Sequence, residues 1–161
     1  MDKNKKSSVY DYGFVDINNK LSNAVITRCH RYYEIAKAMY GNGITSHGRT
    51  FNCTFVASGR KLIAIGVNNY LKPMEWHPKL GKIKIFGTDN YNMSLHSEID
   101  AILKLNKDDC SNLSFYNIHL DKSLRCKNSA PCINCFFVAR KVGFKNFYFF
   151  DENAETFLTL H

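Results

Sequence analysis

Apolar positions recur along this chain with two different periods, and the points where the period changes divide it into elements. From Leu21 to Tyr40, the residues Val25, Cys29, Tyr33, Ala36 and Tyr40 fall at helical spacing, with Gly41 and Gly43 behind them as a stop. A first amphipathic helix is predicted there. Asn52 to Ala57 and Lys61 to Asn68 are β-rich runs around Ser58-Gly59-Arg60, which predicts a hairpin. Between Asn69 and Met93, Pro73, Pro78, Gly81 and Gly87 interrupt any regular period, so a long functional loop is expected.

Ser94 is placed to cap a second helix in which Leu95, Ile99, Ile102 and Leu103 share one face. Leu113 to Leu120 reads as a strand, Cys132 to Val142 as a third helix ended by Gly143, and Phe144 to Phe150 as an aromatic strand. Phe147, Tyr148, Phe149 and Phe150 are expected mostly in the core, with one alternate face under a helix, and Phe136 and Phe137 are expected in the core as well. Asp151 to Ala154 reads as a turn, and Glu155 to Leu160 as a last strand expected to pair back as a hairpin. Two strand-helix-strand crossovers require part of the sheet to be parallel, with helices covering it.

Composition agrees with one packed unit. With 161 residues, 45% apolar and 14% aromatic, the chain has core material for a single domain over 1–161, in which 1–20 form a polar N-terminal extension. No run approaches the roughly eighteen apolar residues of a membrane span, and the lysine-rich start has no apolar block behind it. A soluble, cytoplasmic protein with no membrane partner is expected.

The net charge of +8 is unevenly spread. Met1 to Asn90 carries 14 basic and 6 acidic residues, whereas Tyr91 to His161 carries 8 of each. The excess is densest from Arg49 to Lys84, where it can serve an anionic partner or simply form a solvated surface. Tyr70, Trp76 and Tyr91 interleave there with Lys72, Lys79, Lys82 and Lys84, a mixture that suits a nucleotide phosphate or single-stranded nucleic acid. His77 reads as an exposed loop histidine, and His30, His47, His119 and His161 as surface or core polar residues.

Of the six cysteines, four are scattered and two form Cys132-x-x-Cys135, which asks for metal or redox chemistry rather than a disulfide framework. Cys132 and Cys135, three apart at a helix start, can hold one ion on one side of the first turn. His96 and Glu98, two apart, converge on a common site only if it lies beyond the end of their helix. An ion would then sit where two helix N-termini meet, a place that favours thiolate over thiol. Three ligands, His96, Cys132 and Cys135, leave one tetrahedral position for water, and Glu98 is placed to move protons rather than to ligate. Cys126, six residues ahead of Cys132, reads as an ordinary loop thiol.

His96-Ser97-Glu98 followed by Pro131-Cys132-Ile133-Asn134-Cys135 resembles the signature of the cytidine deaminase-like zinc deaminase superfamily, over about Phe51 to Phe150. The resemblance implies an α/β fold with three α/β/α layers, a mixed five-stranded sheet and helices on both faces. It implies one catalytic zinc on His96, Cys132 and Cys135, with Glu98 as the proton carrier. By the same resemblance Asn68, in Ile65-Gly66-Val67-Asn68, contacts sugar or base, the Ser97 N–H bonds the pyrimidine carbonyl, and carbonyls near Ser129 and Ala130 receive the amino group.

Ser97 stands where alanine is usual, and the interval from Glu98 to Pro131 is longer than in the editing enzymes. The tail resembles the hairpin ending of nucleoside-type deaminases more than the extra helix of other branches. The expected reaction is deamination of cytosine to uracil in a free nucleoside or nucleotide such as cytidine, deoxycytidine or dCMP, in an enzyme whose relatives often form homo-oligomers. Two other classes stand beside it: a polynucleotide cytosine or adenine deaminase using the basic loop 69–93, and a binding module with a relic zinc site. An intact Glu98 argues against the relic.

Overall fold

Side chains in a strand alternate between faces, and here the alternation sorts the apolar residues of one sheet into two separate cores. The structure is a computed structural model that describes residues 20–46, 50–73, 76–77, 81–82, 94–105 and 110–160. Its central sheet runs β10-β9-β7-β1-β2, built from β1 (Phe51–Ser58), β2 (Lys61–Val67), β7 (Ser114–Leu120), β9 (Asn146–Asp151) and β10 (Thr156–Leu160). A short sixth strand, β8 (Cys126–Lys127), adds to β7 outside this path. The three helices are α1 (Asn23–Gly41), α2 (Ser97–Lys104) and α3 (Ile133–Lys141).

Phe51, Cys53, Phe55 and Ala57 of β1, with Tyr116, Ile118 and Leu120 of β7, pack under Val25, Cys29, Tyr32 and Ala36 of α1. The opposite face presents Val56, Phe115, Phe147, Phe149, Leu158 and Leu160 to Ile99 and Ile102 of α2 and Phe136 and Ala139 of α3. These are the expected three layers, α/β/α, with helices on both faces of a mixed sheet. The aromatic strand is covered on both faces rather than one: Phe147 and Phe149 face α2 and α3, while Tyr148 and Phe150 lie half-buried on the α1 side. Its length of apolar sequence is what a doubly covered strand requires.

The connections explain the mixed sheet. β1 and β2 are antiparallel around the two-residue turn Gly59-Arg60, in which Gly59 takes a φ of +56° that a Cβ would strain. α2 carries the chain from β2 across to β7 with β1 between them, and α3 carries it from β7 to its parallel neighbour β9. β10 then returns antiparallel to β9, so the tail is a hairpin, as its sequence indicates.

Several local expectations need correction. Ser94 does not cap α2: Ser94–Leu95 is a short strand, β6, paired with β3 (Asn69–Pro73), and His96 is the N-cap residue. Pairing holds Ser94 and Leu95 extended, so the helix begins later than the periodicity suggested. The 69–93 segment therefore contains regular structure at both ends of its described part, including a small ribbon of β4 (Trp76–His77) and β5 (Gly81–Lys82). Tyr32, not Tyr33, is the fully buried tyrosine of α1, and Phe137 is exposed while its neighbour Phe136 is buried. The extension 1–19, Tyr91, Lys79, Lys84, His47 and His161 lie outside the described residues, as do the side chains of Trp76, His77 and Lys82.

Candidate active site

The N-termini of α2 and α3 meet on one side of the sheet, and each has a residue able to ligate a metal, His96 or Cys132, as its N-cap. His96 is extended, with φ −82° and ψ 153°, and makes no side-chain cap; its ring turns away from its own helix toward the cysteines. Cys132 caps α3, with its Sγ accepting from the Cys135 N–H at 3.4 Å. Pro131, ahead of the helix, is buried.

His96 Nδ1 lies 3.5 Å from Cys132 Sγ and 3.3 Å from Cys135 Sγ, and the three ligand atoms all lie within 4.8 Å of one another. In a tetrahedral zinc site with ordinary Zn–N and Zn–S bonds, neighbouring nitrogen and sulfur ligands stand about 3.6 Å apart. The donor set and spacing therefore fit a metal ion, and one imidazole with two thiolates suits zinc. Cys126 stands apart from this group, in β8, and burial pushes its thiol up to about 12. None of the six cysteines is in a disulfide.

The electrostatics of the group already lean toward ligation. The hydrogen bond from Cys135 holds the Cys132 thiol down to about 4 against the opposing effect of burial, with His96 adding to the lowering. Cys135 is correspondingly raised by sharing its proton with Cys132 and by complete burial. Burial alone would lower His96, but the hydrogen bond and charge of Cys132, with Glu98 behind it, lift it overall. Glu98 is raised by desolvation first and by the Cys132 charge second.

Glu98 is 9% exposed: Asn117 Nδ2 donates to Oε1 at 3.0 Å, Ser97 Oγ lies 3.3 Å from Oε2, and the Cys135 thiol also hydrogen-bonds the carboxylate. In front of it opens a cavity of about 220 Å³ lined by His96, Ser97, Glu98 and Cys132, together with Asn68, Ser129 and Ala130. The structure thus gathers seven of the eight expected site residues on one cavity wall, with Cys135 buried behind.

Their local ties differ. Asn68 follows the end of β2, its Oδ1 accepting from Asn52 N at 2.9 Å and its Nδ2 donating to Thr50 O at 3.3 Å, which leaves the amide one hydrogen and one lone pair to spare. Ser97 is the first residue of α2, where backbone N–H groups have no intrahelical partner. Ser129 is fixed by its hydroxyl, which donates to Asn117 O at 2.7 Å and accepts from Phe150 N at 2.8 Å. Before Pro131 the chain leaves β7 at Leu120, turns, returns as β8, and at Ser129 is bonded again to the strand it left.

Sequence reasoning missed several polar residues that share this cavity or support it. Asn52, Asn117, His119 and Asn128 line it, and Thr54 lies buried beneath. His119 Nδ1 is 3.1 Å from the Asn128 carbonyl oxygen, which ties β7 to the returning segment. The available signal was polarity at inward positions of apolar strands: Thr54 within β1 and Asn117 within β7 each interrupt the face that packs on α2. Tyr70 also lines the cavity, half-exposed, with its hydroxyl 2.5 Å from Thr50 Oγ1.

No family model matches the sequence, and no curated protein matches it significantly. Among solved structures the chain is similar to the crystal structure of dCMP deaminase from the cyanophage S-TIM5 in apo form, at 16% identity and a TM-score of 0.44, over 81% of this chain and 86% of that one. Among the described residues, no helix is long and apolar enough to cross a membrane.

Proposed function

We propose that this chain is a zinc-dependent hydrolytic deaminase that converts cytosine to uracil in a free nucleoside or nucleotide, such as cytidine, deoxycytidine or dCMP, and releases ammonia. One observation carries the reading: His96 Nδ1 and the sulfurs of Cys132 and Cys135 converge to zinc-ligand spacing beside a buried, unligated Glu98 at a cavity. A structural zinc site would need a fourth side chain, and among the described residues this group has three.

Zinc held by these three residues supplies Lewis acidity that brings the pKa of a water toward neutrality. Glu98 takes a proton from the attacking water and delivers it to the ring nitrogen beside the amino-bearing carbon. Glu98 then takes the remaining proton of the new hydroxyl, which becomes the product carbonyl, and passes it to the amino group, which leaves as ammonia when the C–N bond breaks. The Ser97 N–H, at the positive end of α2, bonds the pyrimidine carbonyl, and the carbonyls near Ser129 and Ala130 take the amino hydrogens. Asn68, with its spare donor and acceptor, orients the sugar or base edge. A cavity of about 220 Å³ is smaller than the roughly 300–1,000 Å³ of drug-sized ligand sites, which favours one base unit per site.

The test is a panel: zinc-loaded protein incubated with cytidine, deoxycytidine, their monophosphates, single-stranded DNA and single-stranded RNA, with products weighed by mass spectrometry. Exchange of amine for carbonyl adds about 1 Da to the cytosine compound. A gain on the free compounds supports the reading. A gain confined to the polymers replaces its substrate class, and no gain on any member refutes the activity.

A further inference from the structure

We infer that Asn117 and Thr54 are positioning residues that pin one oxygen of Glu98, so that the other oxygen is the one that carries the proton. The inference rests on the deaminase reading above and assigns a role to Asn117, on the cavity wall, and to Thr54 beneath it. Thr54 of β1 and Asn117 of β7 are directly opposed cross-strand partners, and both point to the face that packs on α2. Thr54 is 0% and Asn117 6% exposed, in a layer otherwise filled by Val56 and Phe115. Polar groups in such a place are costly unless hydrogen-bonded.

Their bonds can be satisfied in one direction only. A carboxylate accepts and does not donate, so the atom of Asn117 that faces Glu98 Oε1 at 3.0 Å is the Nδ2 amide. Oδ1 of Asn117 is then an acceptor, and it takes the Thr54 hydroxyl hydrogen at 2.8 Å. Having spent its hydrogen, Thr54 Oγ1 accepts from Ser97 Oγ at 2.8 Å. The single Ser97 hydrogen is thereby drawn away from Glu98 Oε2, which lies at the longer 3.3 Å. The result is an ordered run, Ser97 to Thr54 to Asn117 to Glu98, that ends in a firm bond on Oε1 and leaves Oε2 without the Ser97 hydrogen.

A proton carrier must be held in place yet keep one oxygen free to exchange. Asn117 supplies the hold, and its register opposite Thr54 keeps its amide from flipping. A flip would aim Oδ1 at the carboxylate, acceptor against acceptor, and leave Thr54 facing a donor. The same Asn117 bonds Ser129 Oγ through its backbone oxygen, so the segment leading to Pro131 and Cys132 is set from the same residue.

The experiment compares wild type with Asn117→Asp, Thr54→Val and Thr54→Ser, all zinc-loaded, for kcat, KM, zinc content and Tm. Asn117→Asp keeps the shape and replaces the amide donor by a second carboxyl group against Glu98 Oε1. It is expected to lower kcat by about 10- to 100-fold, as for a misplacement near 1 Å, with KM and zinc content little changed. Thr54→Val removes the hydroxyl that sets the amide and is expected to lower kcat less, whereas Thr54→Ser restores most of it. If Asn117→Asp fails to fold, the Thr54 pair decides.

Unchanged kcat in folded, zinc-replete Asn117→Asp overturns the inference. So does a Thr54→Val loss that Thr54→Ser does not recover, or a loss that follows zinc content or Tm. A wild type with no turnover on any cytosine compound overturns the deaminase reading, and the inference falls with it. An active wild type with indifferent variants overturns the inference alone.

Discussion

A Cβ built on Gly66 would lie 2.0 Å from the carbonyl oxygen of Ser97 and 2.5 Å from the backbone nitrogen of Ala101. β2 and the first turn of α2 thus touch backbone to backbone, and the seat of His96 and Glu98 depends on a residue without a side chain. Asp100 reinforces the seam, its Oδ2 accepting from Val67 N at 2.9 Å and from Lys104 Nζ at 2.7 Å. Gly66→Ala is therefore expected to displace the start of α2. The cost should reach the upper end of overpacking effects, about 3 kcal/mol. Thermal unfolding is the check, with a fall in Tm of roughly 6–12 °C at this chain length. An unchanged Tm would show that helix and strand can separate freely.

Glu98→Gln retains the shape of the side chain and its acceptor toward Asn117, so the protein should fold and keep its zinc. Turnover on the cytosine compound identified by the substrate panel should drop by about 10²- to 10⁴-fold, the range for loss of a general acid–base. Steady-state kinetics beside metal analysis distinguishes this from loss of the ion. Near-wild-type turnover removes Glu98 from the proposed chemistry.

Zinc that binds the folded site and not the unfolded chain stabilises the fold by mass action. A chelator should lower the Tm of the wild type. His96→Ala, lacking one ligand of three, should purify with little zinc and show a Tm that the chelator does not move. Equal chelator sensitivity in both proteins would place the metal elsewhere.

The cysteines should separate by reactivity. Burial pushes the thiols of Cys29 and Cys53 up to about 12, as it does for Cys126, so few thiolates exist there near neutrality. Cys132 is half-buried on the cavity wall and held as thiolate. Alkylation of chelator-treated, folded protein followed by peptide mapping should mark Cys132 first, and added zinc should protect it. Labelling that ignores zinc would contradict the ligand assignment.

Tyr32 offers a stability test far from the cavity. Its hydroxyl is buried with no hydrogen-bond partner among the described residues, while its ring stacks on Phe55 at 4.8 Å. Tyr32→Phe keeps the stacking and removes an unsatisfied polar group, so denaturant unfolding should show unchanged or higher stability, within about 1 kcal/mol. A clear loss would mean that the hydroxyl is bonded after all.

Much of the site was legible because its chemistry is local in sequence. Cys132 and Cys135 share one helical turn, and His96 and Glu98 flank one helix start, so spacing alone assigned them to two helix ends. The helix starts themselves were harder. Ser94 has the right side chain for a cap, but β3 holds its backbone extended, and a partner 21 residues earlier, Pro73, is invisible to periodicity. Tyr32 and Tyr33 are both compatible with an apolar stripe, and only the position of Phe55 and Tyr116 on the facing sheet selects the first.

The sequence by itself determined the order of the three helices and five main strands, the two crossovers, the closing hairpin and the quartet of His96, Glu98, Cys132 and Cys135, because each is written in short-range spacing and residue chemistry. Only the tertiary structure decided that Thr54 stands opposite Asn117, that Asn117 bonds Glu98, and that Ser129 returns to the strand the chain had left. Those relations join residues far apart in the chain, and strand register and helix packing, not local propensity, bring them within hydrogen-bond reach.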